Sequence, residues 1–147
     1  LHITWIDRQY PKGGSPVGMD WSHDASLTAI AESTQYLATA GMDGVIHLYD
    51  YKEVYREFDE NYEKSKNSSV RAYVGVDPLV SIIITPDGEY CLWTQDGYYA
   101  CSAGGKGLLY WQKNLREGYT PEIYSLDAYK PENNRPDIIR ERLGVDH

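Results

Sequence analysis

Phenylalanine is almost missing from this chain: 1 Phe stands against 14 Tyr and 4 Trp in 147 residues. Nearly every aromatic ring therefore carries a polar atom, which suits side chains packed at one end and wet at the other. Tyrosine excess also marks peptide- or glycan-binding faces, the alternative to plain packing between layers. Cysteine is scarce too, and a count of 2 fits a reducing compartment better than a disulfide framework. No apolar run approaches the ~20 residues of a membrane span, and no charged-then-apolar leader opens the chain. These absences predict a cytoplasmic protein that does not engage membranes. Basic residues are outnumbered, 14 Lys and Arg against 22 Asp and Glu; a net charge of -8 excludes the basic footprint that sequence-independent nucleic-acid binding requires. Cofactor chemistry is equally thin, with no glycine-rich phosphate loop before a helix, no Cys or His spacing suited to zinc and no Gly-x-Ser-x-Gly elbow. No cofactor or metal is expected.

What the chain does contain is short alternating strands punctuated by Asp-Gly. Leu37-Ala38-Thr39-Ala40-Gly41-Met42-Asp43-Gly44-Val45-Ile46-His47-Leu48-Tyr49-Asp50 reads as two strands joined at Asp43-Gly44. There the chain must reverse in about two residues, and Asp-Gly supplies the positive φ angles of a tight turn. Leu37, Val45, Ile46 and Leu48 put apolar character on both faces, as a sheet packed on both sides demands. A second unit begins with Val80-Ser81-Ile82-Ile83-Ile84-Thr85-Pro86-Asp87-Gly88-Glu89-Tyr90 and parallels Leu27 to Tyr36. It continues as Cys91-Leu92-Trp93-Thr94, a Gln95-Asp96-Gly97 turn, Tyr98 to Ser102, a Gly104-Gly105-Lys106-Gly107 hairpin loop and Leu108-Leu109-Tyr110-Trp111, four strands in all. A two-residue Asp96-Gly97 turn places Cys91 and Cys101 on opposite faces of their hairpin, where they cannot bridge.

The first of these stretches resembles one blade of a WD-repeat β-propeller. The family signature runs Leu-Ala-Ser-Gly-Ser, a variable residue, Asp, another variable residue, then Thr-Ile-Arg-Leu-Trp-Asp; here Tyr49 replaces the tryptophan. The resemblance implies a hydrogen-bonded bracing cluster at His23, Thr39, Asp43 and Tyr49. The second unit, through Asp87-Gly88-Glu89-Tyr90, Trp93-Thr94, Asp96-Gly97-Tyr98-Tyr99, Ser102, Gly104, Trp111 and Arg135-Pro136-Asp137, resembles the terminal segment of bacterial WD-repeat proteins, some of which accompany caspase-like peptidases. Trp93, Tyr98, Tyr99 and Trp111 become candidate packing or interaction aromatics. The implied fold is all-β: propeller blades with a short C-terminal helix. Because Tyr36 and Tyr90 are offset by more than the ~40 to 45 residues of such a repeat, extra residues sit between the units.

The organisation predicted is an N-terminal strand and linker over 1–20, a blade with an inserted polar loop over 21–79, a terminal blade over 80–128 and an extension with a short helix over 129–147. His2 to Asp7 reads as a strand and Arg8 to Asp20 as the loop leading on. Glu53 to Phe58 reads as the outer strand of the first blade, with a helix as the alternative because Val54, Phe58 and Tyr62 recur at i, i+4 and i+8. In the tail, Pro136-Asp137-Ile138-Ile139-Arg140-Glu141-Arg142-Leu143-Gly144 carries the start and stop signals of a helix that must dock to be stable. A closed propeller needs at least four blades. The chain therefore reads as the C-terminal section of a larger one, and its opening at leucine agrees.

The expected function is a non-catalytic interaction or scaffold module whose partners are proteins, the remaining blades or another copy among them. The alternative is a regulatory or substrate-recognition part of a caspase-like peptidase system. Ala100-Cys101-Ser102-Ala103-Gly104-Gly105 has some likeness to the cysteine region of such peptidases, with His47 upstream at a comparable spacing. His47 lacks the glycine that follows a catalytic histidine there, and the αβ alternation of that fold is missing, so Cys101 is assigned to strand packing and no catalytic residue is predicted. A carboxylate pair drawn from Asp87, Glu89 and Asp96 is set aside because each has a turn role.

Overall fold

A computed structural model describes residues 17–20, 26–65, 72–113 and 120–145, and the chain divides into two compact units, Leu1–Leu79 and Val80–His147. The predicted strand His2 to Asp7 and the cluster candidate His23 lie outside the described residues.

In the first unit, β1 (Val17–Asp20) pairs in parallel with β5 (Ala72–Gly75), so the last residues of the predicted linker form a strand. Between them, β2 (Leu27–Glu32), β3 (Tyr36–Gly41) and β4 (Val45–Asp50) make an antiparallel meander. The segment after β4 is helical, not an outer strand: α1 spans Tyr51–Ser65. Asp50 explains why. Its Oδ1 accepts from the backbone N–H of Lys52 at 2.8 Å and of Glu53 at 3.1 Å, satisfying donors that the first turn of a helix leaves open. The periodic stripe then does the rest, with Val54, Tyr55 and Phe58 buried. Strand residues behind them alternate as the pleat requires, burying Leu37, Thr39, His47 and Tyr49 on one face.

The second unit repeats the meander with β6 (Val80–Ile84), β7 (Tyr90–Trp93) and β8 (Tyr99–Cys101). The sequence predicts a glycine-rich hairpin loop next and a fourth blade strand beyond it. Instead, a 3-10 turn, Gly105–Leu108, leads to β9 (Tyr110–Lys113), which pairs antiparallel with β10 (Glu122–Ser125) in a separate ribbon. The predicted tail helix is present as α2 (Pro136–Arg142). Its end is a glycine stop: Gly144 adopts φ 58°, its N–H donates to the Glu141 carbonyl at 3.0 Å, and the Val145 N–H reaches back to Arg140 at 3.1 Å.

Among the described residues the architecture is mostly antiparallel β-sheet with two α-helices. Each meander shows three strands there, and no closure of a propeller is displayed among them. Among the described residues no helix is long and apolar enough to cross a membrane.

Candidate functional site

One turn device recurs through both meanders, and it sets where every neighbouring side chain points. With Ala40 opposite Ile46, the loop between β3 and β4 comprises Met42, Asp43 and Gly44. Ile84 opposite Tyr90 leaves Thr85 and Glu89 facing each other around Pro86, Asp87 and Gly88; Trp93 opposite Tyr99 likewise leaves Thr94 and Tyr98 around Gln95, Asp96 and Gly97. In each, the glycine N–H donates to the carbonyl three residues back, to Gly41 at 3.1 Å, Thr85 at 2.9 Å and Thr94 at 3.0 Å. Only the glycines take positive φ, at 77°, 86° and 91°. These are three-residue loops with a glycine bulge, not the predicted two-residue turns. Threonine closes two of them: the Glu89 N–H donates to Thr85 Oγ1 at 3.2 Å and the Tyr98 N–H to Thr94 Oγ1 at 3.1 Å.

The extra residue shifts parity, and in a strand a shift of one moves a side chain to the other face. Cys91 therefore lies directly opposite Cys101, Cα to Cα 4.0 Å, and the two form a disulfide. The expectation that they could not bridge is corrected by this register.

The bracing residues of the first meander separate into two groups. Thr39 sits across from His47, and Leu37 across from Tyr49, all buried on one face, with the His47 and Tyr49 rings edge to face at 6.2 Å. Asp43 stays in its turn, where Oδ1 accepts from the Val45 N–H at 3.0 Å. His47, weighed above as a catalytic histidine and set aside, thus joins Thr39 and Tyr49. Its alternation with Leu37 and Thr39 across the strands was the available signal.

In the second unit, Tyr99 and Trp111 pack with Trp93 around Cys91 and Leu126, and the Tyr99 hydroxyl donates to the Leu126 carbonyl at 3.2 Å. Burial raises the Tyr99 phenol above its ordinary value, the nearby Asp127 carboxylate adding to it. Tyr98 is half-buried at the loop edge. Trp93, Tyr99, Tyr110 and Trp111 line a cleft of about 230 Å³ with Thr94 and Gln95 at its polar side. Behind Trp111, the Lys130 ammonium lies 5.5 Å from the indole centroid, and Tyr124 stacks on Tyr129 at 5.1 Å. Sequence reasoning missed Tyr124 and Tyr129 because it did not foresee β10, which sets Tyr124 opposite Trp111.

The groups weighed for catalysis have structural partners. Cys101 is bonded to Cys91, and His47 is enclosed in the first unit's buried face. The Thr85 hydroxyl donates to Asp87, which holds that carboxyl below its ordinary value; Thr94 does the same for Asp96, which also pairs with Arg142 at 2.9 Å. Glu89 accepts from the Ser102 hydroxyl and from the Gly104 N–H at 2.9 Å, so the glycine-rich segment already cradles an anion from its own chain. Among the described residues no group of His, Cys, Asp or Glu side chains gathers to hold a metal.

Comparison with protein-family models, with curated proteins and with solved structures finds no match to this chain.

Proposed function

We propose that this chain is a non-catalytic protein-interaction or scaffold module whose meanders are WD-repeat-like blade segments of a larger propeller. The observation that carries the reading is the edge strand β2. Among the described residues it pairs on one side only, with β3, and Ala29, Ile30 and Ala31 stand exposed along it. No proline and no lysine interrupts Leu27–Glu32; its edge carries only a bulge between Leu27 and Ala29 and the terminal Glu32, and a protein surface is the natural cover of the apolar stretch between them. The repeated Asp-Gly loops support the blade comparison, since they give both meanders the same strand-to-strand geometry. Consumption of the polar groups by turns, caps and a disulfide agrees with a role in which surfaces, not reacting atoms, carry the function.

Site-specific photo-crosslinking tests it. A photoreactive residue at Ile30 is expected to capture a protein, a second copy or a distinct chain, in a discrete product, while the same group at the exposed Arg56 of α1 captures none. Equal, diffuse labelling from both positions, or a hydrolytic activity of the purified chain that survives mild denaturation controls, would overturn the proposal.

A further inference from the structure

The two cysteines of the β7–β8 hairpin are unequal. Cys91 is fully buried among Tyr99, Leu126 and Ile83, whereas Cys101 is half-buried on the edge strand of that meander. They are also the chain's only cysteines, so neither has a competing partner within it. The hairpin they close is the seat of the C-terminal tail: the Arg135 N–H donates to the Tyr99 carbonyl at 2.9 Å, Asn133 Nδ2 to the Gly97 carbonyl at 3.2 Å, and Arg142 pairs with Asp96 at 2.9 Å. Asn134 forms a parallel bridge with Tyr99, two residues from Cys101.

We infer that Cys91 and Cys101 are a reversible redox pair, with Cys101 the point of attack by low-molecular-weight thiols and disulfides of the glutathione type, and that oxidation fastens the hairpin on which the tail docks. The asymmetry follows from access. Thiol–disulfide exchange needs the attacking sulfur to approach the bond from outside, and of the two residues only Cys101 keeps any exposure to solvent. In reduction, a glutathione thiolate attacks Cys101 Sγ, the Cys91–Cys101 bond breaks, and Cys91 leaves as a thiolate that takes a proton. A second glutathione thiolate then attacks the glutathione sulfur of the mixed disulfide, releasing oxidised glutathione and the Cys101 thiol. Oxidation runs the same steps backwards: the Cys101 thiolate attacks oxidised glutathione, and Cys91 resolves the adduct. The coupling to the tail runs along the strand: the bond fastens β8 to β7 two residues from Tyr99, whose carbonyl accepts from the Arg135 N–H.

The test is to incubate the full chain with oxidised glutathione, trap free thiols by alkylation and weigh the products. Wild type should end with both thiols consumed and no glutathione retained. Cys91→Ser should keep one glutathione on Cys101, and Cys101→Ser should stay unmodified until urea exposes Cys91. Cys91→Ala, read alongside circular dichroism, replaces Cys91→Ser where the latter unfolds. Amide exchange at Arg135 should slow several-fold in oxidised relative to reduced wild type and should not respond to oxidant in the Cys91→Ala, Cys101→Ala double variant. Two free thiols in the oxidant-treated wild type, modification of folded Cys101→Ser as fast as Cys91→Ser, or Arg135 exchange indifferent to redox state would each overturn the inference.

Discussion

Ser102 donates its hydroxyl to the Glu89 carboxylate across the β7–β8 ribbon, and the same hydroxyl oxygen accepts from the Tyr90 N–H at 2.9 Å and the Gly105 N–H at 3.2 Å. The pair holds the start of the 3-10 turn against the start of β7. Removing Glu89 leaves the exposed Gly104 N–H to water and the Ser102 hydroxyl with the Tyr90 carbonyl, 3.2 Å away, as its acceptor. Glu89→Ala is expected to destabilise the chain by about 0.5–1.5 kcal/mol, the net contribution of the lost hydrogen bonds. Urea denaturation followed by tryptophan fluorescence measures it, and an unchanged midpoint would refute the bracing role.

Gly105 offers a sharper contrast. A Cβ built there falls 1.9 Å from the Tyr90 carbonyl oxygen, a backbone atom that cannot swing away, while one at Gly107 meets nothing within 4 Å. Gly105→Ala should cost about 1–3 kcal/mol or more through forced backbone movement. Gly107→Ala should be near neutral. Matching thermal midpoints for the two variants would contradict the close approach.

Asp50 is the cap of α1, and capping residues replaced by alanine typically lose about 1 kcal/mol. Asp50→Ala should therefore lower the urea midpoint and reduce far-ultraviolet helical signal, whereas Asp50→Asn keeps the acceptor oxygen and most of the stability. Loss of equal size in both variants would assign the effect to charge, not to the cap.

Asp137 at the start of α2 carries a pH dependence whose sign is fixed. The Arg135 guanidinium, donating to both carboxylate oxygens at 2.9 and 3.1 Å, lowers its pKa from 3.8 to about 2. Because the folded value is depressed, the stabilisation is present above the ordinary carboxylate pKa and is lost as pH falls from there towards 2. A carbonyl-carbon NMR titration should place the Asp137 midpoint near 2, and Arg135→Gln should return it towards 3.8. A midpoint unmoved by that substitution would exclude the pairing as cause.

Much of this was written locally. Asp43-Gly44, Asp87-Gly88 and Asp96-Gly97 mark the reversals because glycine alone accepts the positive φ that each loop requires. Pro136, Ile139 and Gly144 similarly specify a helix with one buried residue and a glycine stop. The helix α1 was also legible: Asp50 followed three residues later by Glu53 is a helix-start pattern, and the Val54, Phe58, Tyr62 stripe agrees with it. The strand reading of Glu53 to Phe58 lost to that cap.

The sequence by itself determined the place of the three Asp-Gly turns, the alternation of the strands around them and the tail helix, since these depend on the conformational range of single residues and on spacing along one element. Only the tertiary structure decided the rest. Whether a reversal takes two residues or three depends on how the strands on either side register, with threonine hydroxyls closing two of the three loops, and that single residue of register put Cys101 opposite Cys91. The partner of β9 was decided the same way, because a strand's edge can pair with any extended neighbour that packing brings alongside, and packing of Trp111 against Tyr129 and Leu126 selected β10.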